Sequence, residues 1–139
     1  MTTQQFSAPS ATKRRVLLVD DSASLREGLA EVINHQPDLE VCGEAENTGR
    51  ALELIDRLMP DLAIVDIALA DENGIDLIRD IKRRHPEVQV VVLTVHDEAL
   101  YANEAASAGA RGYIRKEEPM ATVLGVIRRV LAGGTDLRP

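Results

Sequence analysis

The chain has 139 residues, 45% apolar, 28% charged and 2% aromatic, with no Trp, and its 16 Lys and Arg against 23 Asp and Glu leave a net charge of −7. That length gives one domain, with a core that must be built from Val, Ile, Leu and Ala. The acidic balance argues against DNA binding by this segment. The single cysteine, Cys42, rules out an internal disulfide, and no apolar run approaches the roughly 18 residues of a membrane span.

The N-terminal stretch is rich in Thr, Gln, Ser, Ala and Pro and ends in Lys13-Arg14-Arg15. It has no hydrophobic periodicity and no signal-peptide core, so residues 1–14 are expected to form a disordered arm and the protein to be cytoplasmic. The ordered domain is expected over 15–133, with 134–139 a tail or the start of a linker.

From Val16 onward, short apolar runs alternate with amphipathic stretches. The runs are VLLV (16–19), LEVCGEA (39–45), LAIV (62–65), VQVVVL (88–93) and GYI (112–114). Short and rich in Val and Ile, they read as buried parallel strands, with Cys42 a small buried strand residue. Between them, Leu25, Leu29, Val32 and Ile33 share one helix face, as do Ala51, Leu54, Ile55 and Leu58. Ile75, Leu77, Ile78 and Ile81 mark a third helix; Met120, Val123, Leu124, Ile127 and Leu131 mark the last. In the fourth helix, between Asp97 and Gly109, the apolar residues are mostly alanine, which reads either as an element with little area to bury, held weakly, or as close alanine packing against the sheet. Ser22 is placed to cap the first helix. Pro37, Pro60 and Pro86 fall in helix-to-strand connections, and Gly109 and Gly133-Gly134 mark helix ends. Strands alternating with helices predict an α/β domain with a parallel sheet.

In such sheets ligands bind at the carboxyl ends of the strands. There the sequence puts Asp20 and Asp21 after the first run, Asp66 after the third, Thr94 after the fourth and Lys116 after the fifth. Three carboxylates together need a cation; all-oxygen ligands suit Mg²⁺. With the field reversed by a metal, Asp66 can attack phosphorus and become an acyl phosphate. Lys116 then offers a fixed charge and Thr94 a hydroxyl for the phosphoryl oxygens. Each residue alone has a plainer reading: an Asp pair in a turn or cap, a strand threonine, a surface lysine. Only the conjunction is specific.

VLLVDDSASLR, LAIVDIALADENGIDLI, VVVLTVHDE and AGARGYIRKEEP together resemble the receiver domain of bacterial response regulators, over about residues 14–133. The resemblance implies a flavodoxin-like, CheY-like (βα)₅ fold with a sheet in 2-1-3-4-5 order. It implies that Asp66 accepts a phosphoryl group from a sensor histidine kinase. It further implies that Asp20, Asp21, Asp66 and the backbone carbonyl of Ala68 hold Mg²⁺. Thr94 matches the switch hydroxyl, Tyr113 the switch aromatic and Lys116 the site lysine. Ala68 and His96 stand where phosphoryl lifetime is tuned. Phosphorylation would draw in Thr94, let Tyr113 rotate inward and change the surface around the fourth helix and fifth strand, with homodimerisation as a family expectation.

The sequence departs from the pattern at Ala70 and Glu117, where proline is common, and at Val95, bulkier than the small residue usual after the switch hydroxyl. The segment from Gly109 to Pro139 is similar to NarL/FixJ-type receivers, which usually precede a helix-turn-helix domain and regulate transcription. Two other readings are a phosphate-independent receiver acting as an interaction module, and a haloacid-dehalogenase-like phosphatase. The latter would need Asp-x-Asp after the first strand, where this chain reads Asp20-Asp21-Ser22.

Overall fold

The computed structural model describes residues 13–69, 73–95 and 99–137. Five parallel strands, β1 (Arg14–Val19), β2 (Leu39–Ala45), β3 (Leu62–Asp66), β4 (Gln89–Thr94) and β5 (Gly112–Arg115), form one sheet in the order β2-β1-β3-β4-β5. They alternate with helices α1 (Ala23–Asn34), α2 (Thr48–Leu58), α3 (Gly74–Arg84), α4 (Ala99–Ala108) and α5 (Met120–Leu131). The parallel α/β sheet is the one expected from the alternating runs, and its flavodoxin-like strand order is the one the receiver resemblance implied.

Side-chain alternation along β1 divides the core. Leu17 and Val19 face a cluster with Ala51, Leu54 and Ile55 of α2, Ile75, Ile78 and Ile81 of α3, and Ala102 and Ala105 of α4. Val16 and Leu18 face the opposite cluster, with Leu29 and Ile33 of α1 and Val123, Val126, Ile127 and Val130 of α5. Helices therefore cover both faces, as right-handed crossovers require. α4 buries alanines only among its residues from 101 on, with Tyr101 half-buried.

Local chemistry explains the ends. Ser22 caps α1 through the Leu25 N–H at 3.3 Å, and Asn47 caps α2 through the Arg50 N–H at 2.8 Å. Gly109 closes α4 with φ 118°, a left-handed conformation suited to glycine. α2 ends instead on Met59 at φ 48°. There the Arg15 guanidinium donates to the carbonyls of Leu58 (2.6 Å) and Met59 (3.2 Å), satisfying the helix terminus.

Three details differ from the sequence reading. β1 begins at Arg14, because the Arg14 N–H bonds to Asp38 O (3.0 Å) and the Arg15 N–H to the Asp61 carboxylate (2.8 Å). Asp66 and Thr94 are the last residues of their strands rather than the first beyond them. Cys42 is half-buried, not buried. β2 is an edge strand, and the register passes from Val16↔Val41 to Leu17↔Gly43, so Cys42 is the extra residue of a bulge. Burial pushes its thiol pKa up.

Candidate functional site

Strand order reverses between β1 and β3, and the crevice at that switch point lies at their carboxyl ends. Asp20 follows β1 and Asp66 ends β3; each is 2% exposed. Asp20 is fixed from several directions. Its N–H donates to Ala45 O at 3.0 Å, and its carbonyl accepts from Arg26 Nη1 at 2.5 Å. Its Oδ1 accepts from the Ser22 N–H at 2.8 Å. Asp66 Oδ1 accepts from the Ala68 N–H at 2.9 Å.

The second oxygens of the two acids face Lys116, whose Nζ is 3.0 Å from Asp66 Oδ2 and 3.2 Å from Asp20 Oδ2. The Lys116 ammonium is hydrogen-bonded to Asp66; it lies near Asp20 Oδ2 without the alignment of a hydrogen bond, which leaves that buried oxygen without one. Burial, supported by the charge of Asp66, holds the Asp20 pKa above its ordinary value against the opposing pull of Ser22 N–H and Lys116. For Lys116, burial acts to lower the pKa. The hydrogen bond and charge of Asp66, with the nearby charge of Asp20, outweigh it and hold the ammonium above its ordinary value.

Asp21 is exposed, at the rim. One carboxylate oxygen from each of Asp20, Asp21 and Asp66 lies within 4.8 Å of the other two. Three converging carboxylates, one of them carrying a buried oxygen without a hydrogen bond, open to solvent at Asp21: this donor set fits a hard divalent cation that keeps some of its water, as Mg²⁺ does. Cys and His ligands for a softer metal are missing from the cluster.

The other expected residues are arranged around this centre. Thr94 is fully buried at the end of β4, and its carbonyl accepts the Lys116 N–H at 2.7 Å, which ties the lysine to the neighbouring strand end. Tyr113 is 4% exposed and packs in the α2–α3–α4 cluster, more deeply than a half-buried edge aromatic would. Val95 stands 61% exposed immediately after Thr94. The expectations for Ala70 and His96 fall outside the described residues.

Two contributors were not singled out from sequence. A Cβ on Gly74 would lie 2.4 Å from Ile67 Cα and 2.8 Å from Asp66 O, so only glycine lets α3 begin against the end of β3. Arg26 grips the Asp20 carbonyl while its Nε pairs with Glu44 of β2 at 3.1 Å, its side chain only 14% exposed. An arginine four residues after Ser22 in an expected helix was visible, but nothing in the sequence said which carbonyl it would reach.

Comparison with known proteins settles the family. The response regulator receiver domain matches residues 16–128. The chain belongs to that family. Transcriptional regulatory protein DegU of Brevibacillus brevis is 32% identical over 127 residues, which cover 91% of this chain and 54% of DegU. The DNA-binding transcriptional activator DevR/DosR of Mycobacterium tuberculosis is 36% identical over 121 residues, covering 86% of this chain and 55% of the activator. A crystal structure of a LuxR-family two-component response regulator from Aurantimonas sp. SI85-9A1 superposes with a TM-score of 0.87 at 31% identity, covering 91% of each chain. The NarL/FixJ-type likeness accords with these relatives. The receiver spans about half the length of the two regulators. Receiver domains are in general signalling modules of two-component systems rather than enzymes, work with histidine kinases and output domains, and bind Mg²⁺ at an acidic pocket. Among the described residues of this receiver, no helix is long and apolar enough to cross a membrane.

Proposed function

We propose that this receiver works in the cytoplasm, takes a phosphoryl group from a sensor histidine kinase onto Asp66 and uses it to change a protein-binding surface that controls transcription. The observation that carries the proposal is the Lys116 ammonium held 3.0 Å from Asp66 Oδ2 and 3.2 Å from Asp20 Oδ2, beside a third carboxylate. An Asp66 oxygen attacks phosphorus. The P–N bond of the phosphohistidine breaks, the imidazole leaves with the electron pair and takes up a proton, and an acyl phosphate forms. Mg²⁺ held by Asp20, Asp21, Asp66 and the Ala68 carbonyl would supply the charge that lets an anionic carboxylate meet an anionic phosphoryl group. Lys116 is already aimed at the reacting oxygen and stabilises the new phosphoryl charge.

Thr94 donates its hydroxyl to the phosphoryl group and draws inward, and Tyr113 fills the space beside it. Moving such an equilibrium from 1:99 to 99:1 takes about 5.5 kcal/mol of differential stabilisation, which a few charge-assisted hydrogen bonds can supply. Ala68 has no side-chain group to hold an attacking water, so hydrolysis of the acyl phosphate is slow; decay within seconds would count against that. Homodimerisation follows from the changed surface, and no contact with DNA is assigned to these residues.

The test is incubation with Mg²⁺ and acetyl phosphate followed by intact mass measurement. One added phosphoryl group, absent in Asp66→Ala, supports the proposal. An unmodified wild-type protein would favour a phosphate-independent interaction module.

A further inference from the structure

Four polar or charged side chains are buried among the described residues: Asp20, Asp66, Thr94 and Asp136. Three belong to the acidic site. The fourth lies in the segment after α5, where a receiver's ordered fold was expected to have ended. A buried carboxylate is costly unless it is held, and Asp136 is held three ways. Its side chain pairs with Arg129 of α5. Its N–H donates to Arg111 O and its carbonyl accepts from the Tyr113 N–H, each at 2.8 Å. Residue 136 thus adds one bridge to the open edge of β5, paired with Gly112. The turn that brings it there uses Gly133 at φ 95° and a Gly134 N–H bonded to Arg129 O at 2.9 Å. Leu137 then packs on the cluster that contains Tyr113.

We infer that Asp136 is a latch that fastens the segment after α5 to the strand carrying Tyr113, so that the hold on this segment and the phosphoryl state of Asp66 are coupled. The inference rests on the proposed role of Tyr113. The backbone of Tyr113 is one of the two strand anchors of the latch, so a change in Tyr113 is felt at Asp136 without any intervening element. The direction rests on the proposed inward movement of Tyr113. In the structure the latch is closed with Tyr113 buried in the α2–α3–α4 cluster, and the inward position of Tyr113 is the one the phosphoryl group is proposed to favour. A ligand that favours buried Tyr113 must then tighten the latch, and by reciprocity the latch must strengthen binding of that ligand. The segment leading away from the receiver would be drawn in on activation rather than released.

Amide hydrogen exchange by NMR tests this with beryllofluoride and Mg²⁺ as the phosphoryl mimic. In the wild type, protection of the Tyr113 and Asp136 amides rises when the mimic binds. Asp136→Asn, which keeps the shape and removes the charge facing Arg129, abolishes that rise at Asp136 and weakens beryllofluoride binding about fivefold, the lower end of typical couplings between sites. Should Asp136→Asn destabilise the fold, the wild-type exchange measurement alone still decides. Binding of the mimic with unchanged protection at Asp136 overturns the coupling, as does a folded Asp136→Asn with wild-type affinity. Failure of the wild type to bind beryllofluoride overturns the Asp66 reading and the coupling with it.

Discussion

Gly74→Ala tests how tightly the acceptor is built into its loop. The new methyl carbon would stand 2.4 Å from Ile67 Cα, 2.8 Å from Asp66 O and 3.1 Å from Ile67 C. Carbon atoms pack comfortably at about 3.5 Å or more, so the two segments must part by about 1 Å. All three obstructing atoms are backbone, and no side-chain rotation relieves them. Overpacking of this kind costs about 3 kcal/mol, the upper part of its usual range. For a domain of this size the melting temperature should fall by about 12 °C. The displaced atoms belong to Asp66 and its neighbour, so modification by acetyl phosphate should slow even where the variant is fully folded. Thermal unfolding followed by circular dichroism gives the first quantity, and timed mass spectrometry below the transition gives the second. A Gly74→Ala protein within 0.5 kcal/mol of wild type, the scatter of neutral surface changes, would refute the close approach on which the site geometry depends.

Further outcomes concern charge. Asp20→Asn should stabilise the protein by about 1 kcal/mol in neutral, chelator-treated buffer, because an ionised buried carboxylate with an oxygen lacking a hydrogen bond is removed. The folded state raises the Asp20 pKa. Wild-type stability therefore falls as pH rises through the window above the ordinary carboxylate value, and urea titrations of the variant should lack that fall. Arg26→Ala should weaken Mg²⁺ affinity about tenfold by freeing the Asp20 carbonyl, with Arg26→Lys intermediate and the modification rate at saturating Mg²⁺ unchanged; calorimetric titration of the three proteins would show this, and equal affinities would clear Arg26 of the role. Arg128 makes paired hydrogen bonds of 2.9 Å to Asp38, and they hold the Asp38 pKa below its ordinary value. The pair therefore stabilises above the ordinary carboxylate range and stops doing so as pH falls through the lowered value. Because both side chains are largely exposed, the difference between wild type and Arg128→Ala should be a few tenths of a kcal/mol, vanishing in strong acid.

The convergence of the site residues was legible because each lies at or just past the end of an apolar run, and a parallel sheet must bring such strand ends to one edge. The sheet and the helix faces were legible for the same reason: Ile75, Ile78 and Ile81 or Val123 and Ile127 repeat at the spacing of the surface they cover. What could not be read were contacts made across the fold by residues with no periodic signature. Arg14 and Arg15 look like the end of a solvated arm until Asp38 and Asp61 are beside them. Met59 takes a left-handed cap because Arg15 reaches its carbonyl from a distant strand. Cys42 has the surroundings of a core residue in the sequence, yet a bulge on an edge strand leaves it half-buried. Asp136, in a Gly-Gly-Thr-Asp stretch that reads as linker, is buried by partners on β5 and α5.

Borohydride reduction after treatment with Mg²⁺ and acetyl phosphate converts a phosphorylated aspartate to homoserine, and peptide mapping then locates it. The account predicts homoserine at position 66 alone, and only when Mg²⁺ is present. Homoserine at position 20 or 21, or an intact aspartate at 66 after full exposure to the donor, would contradict it.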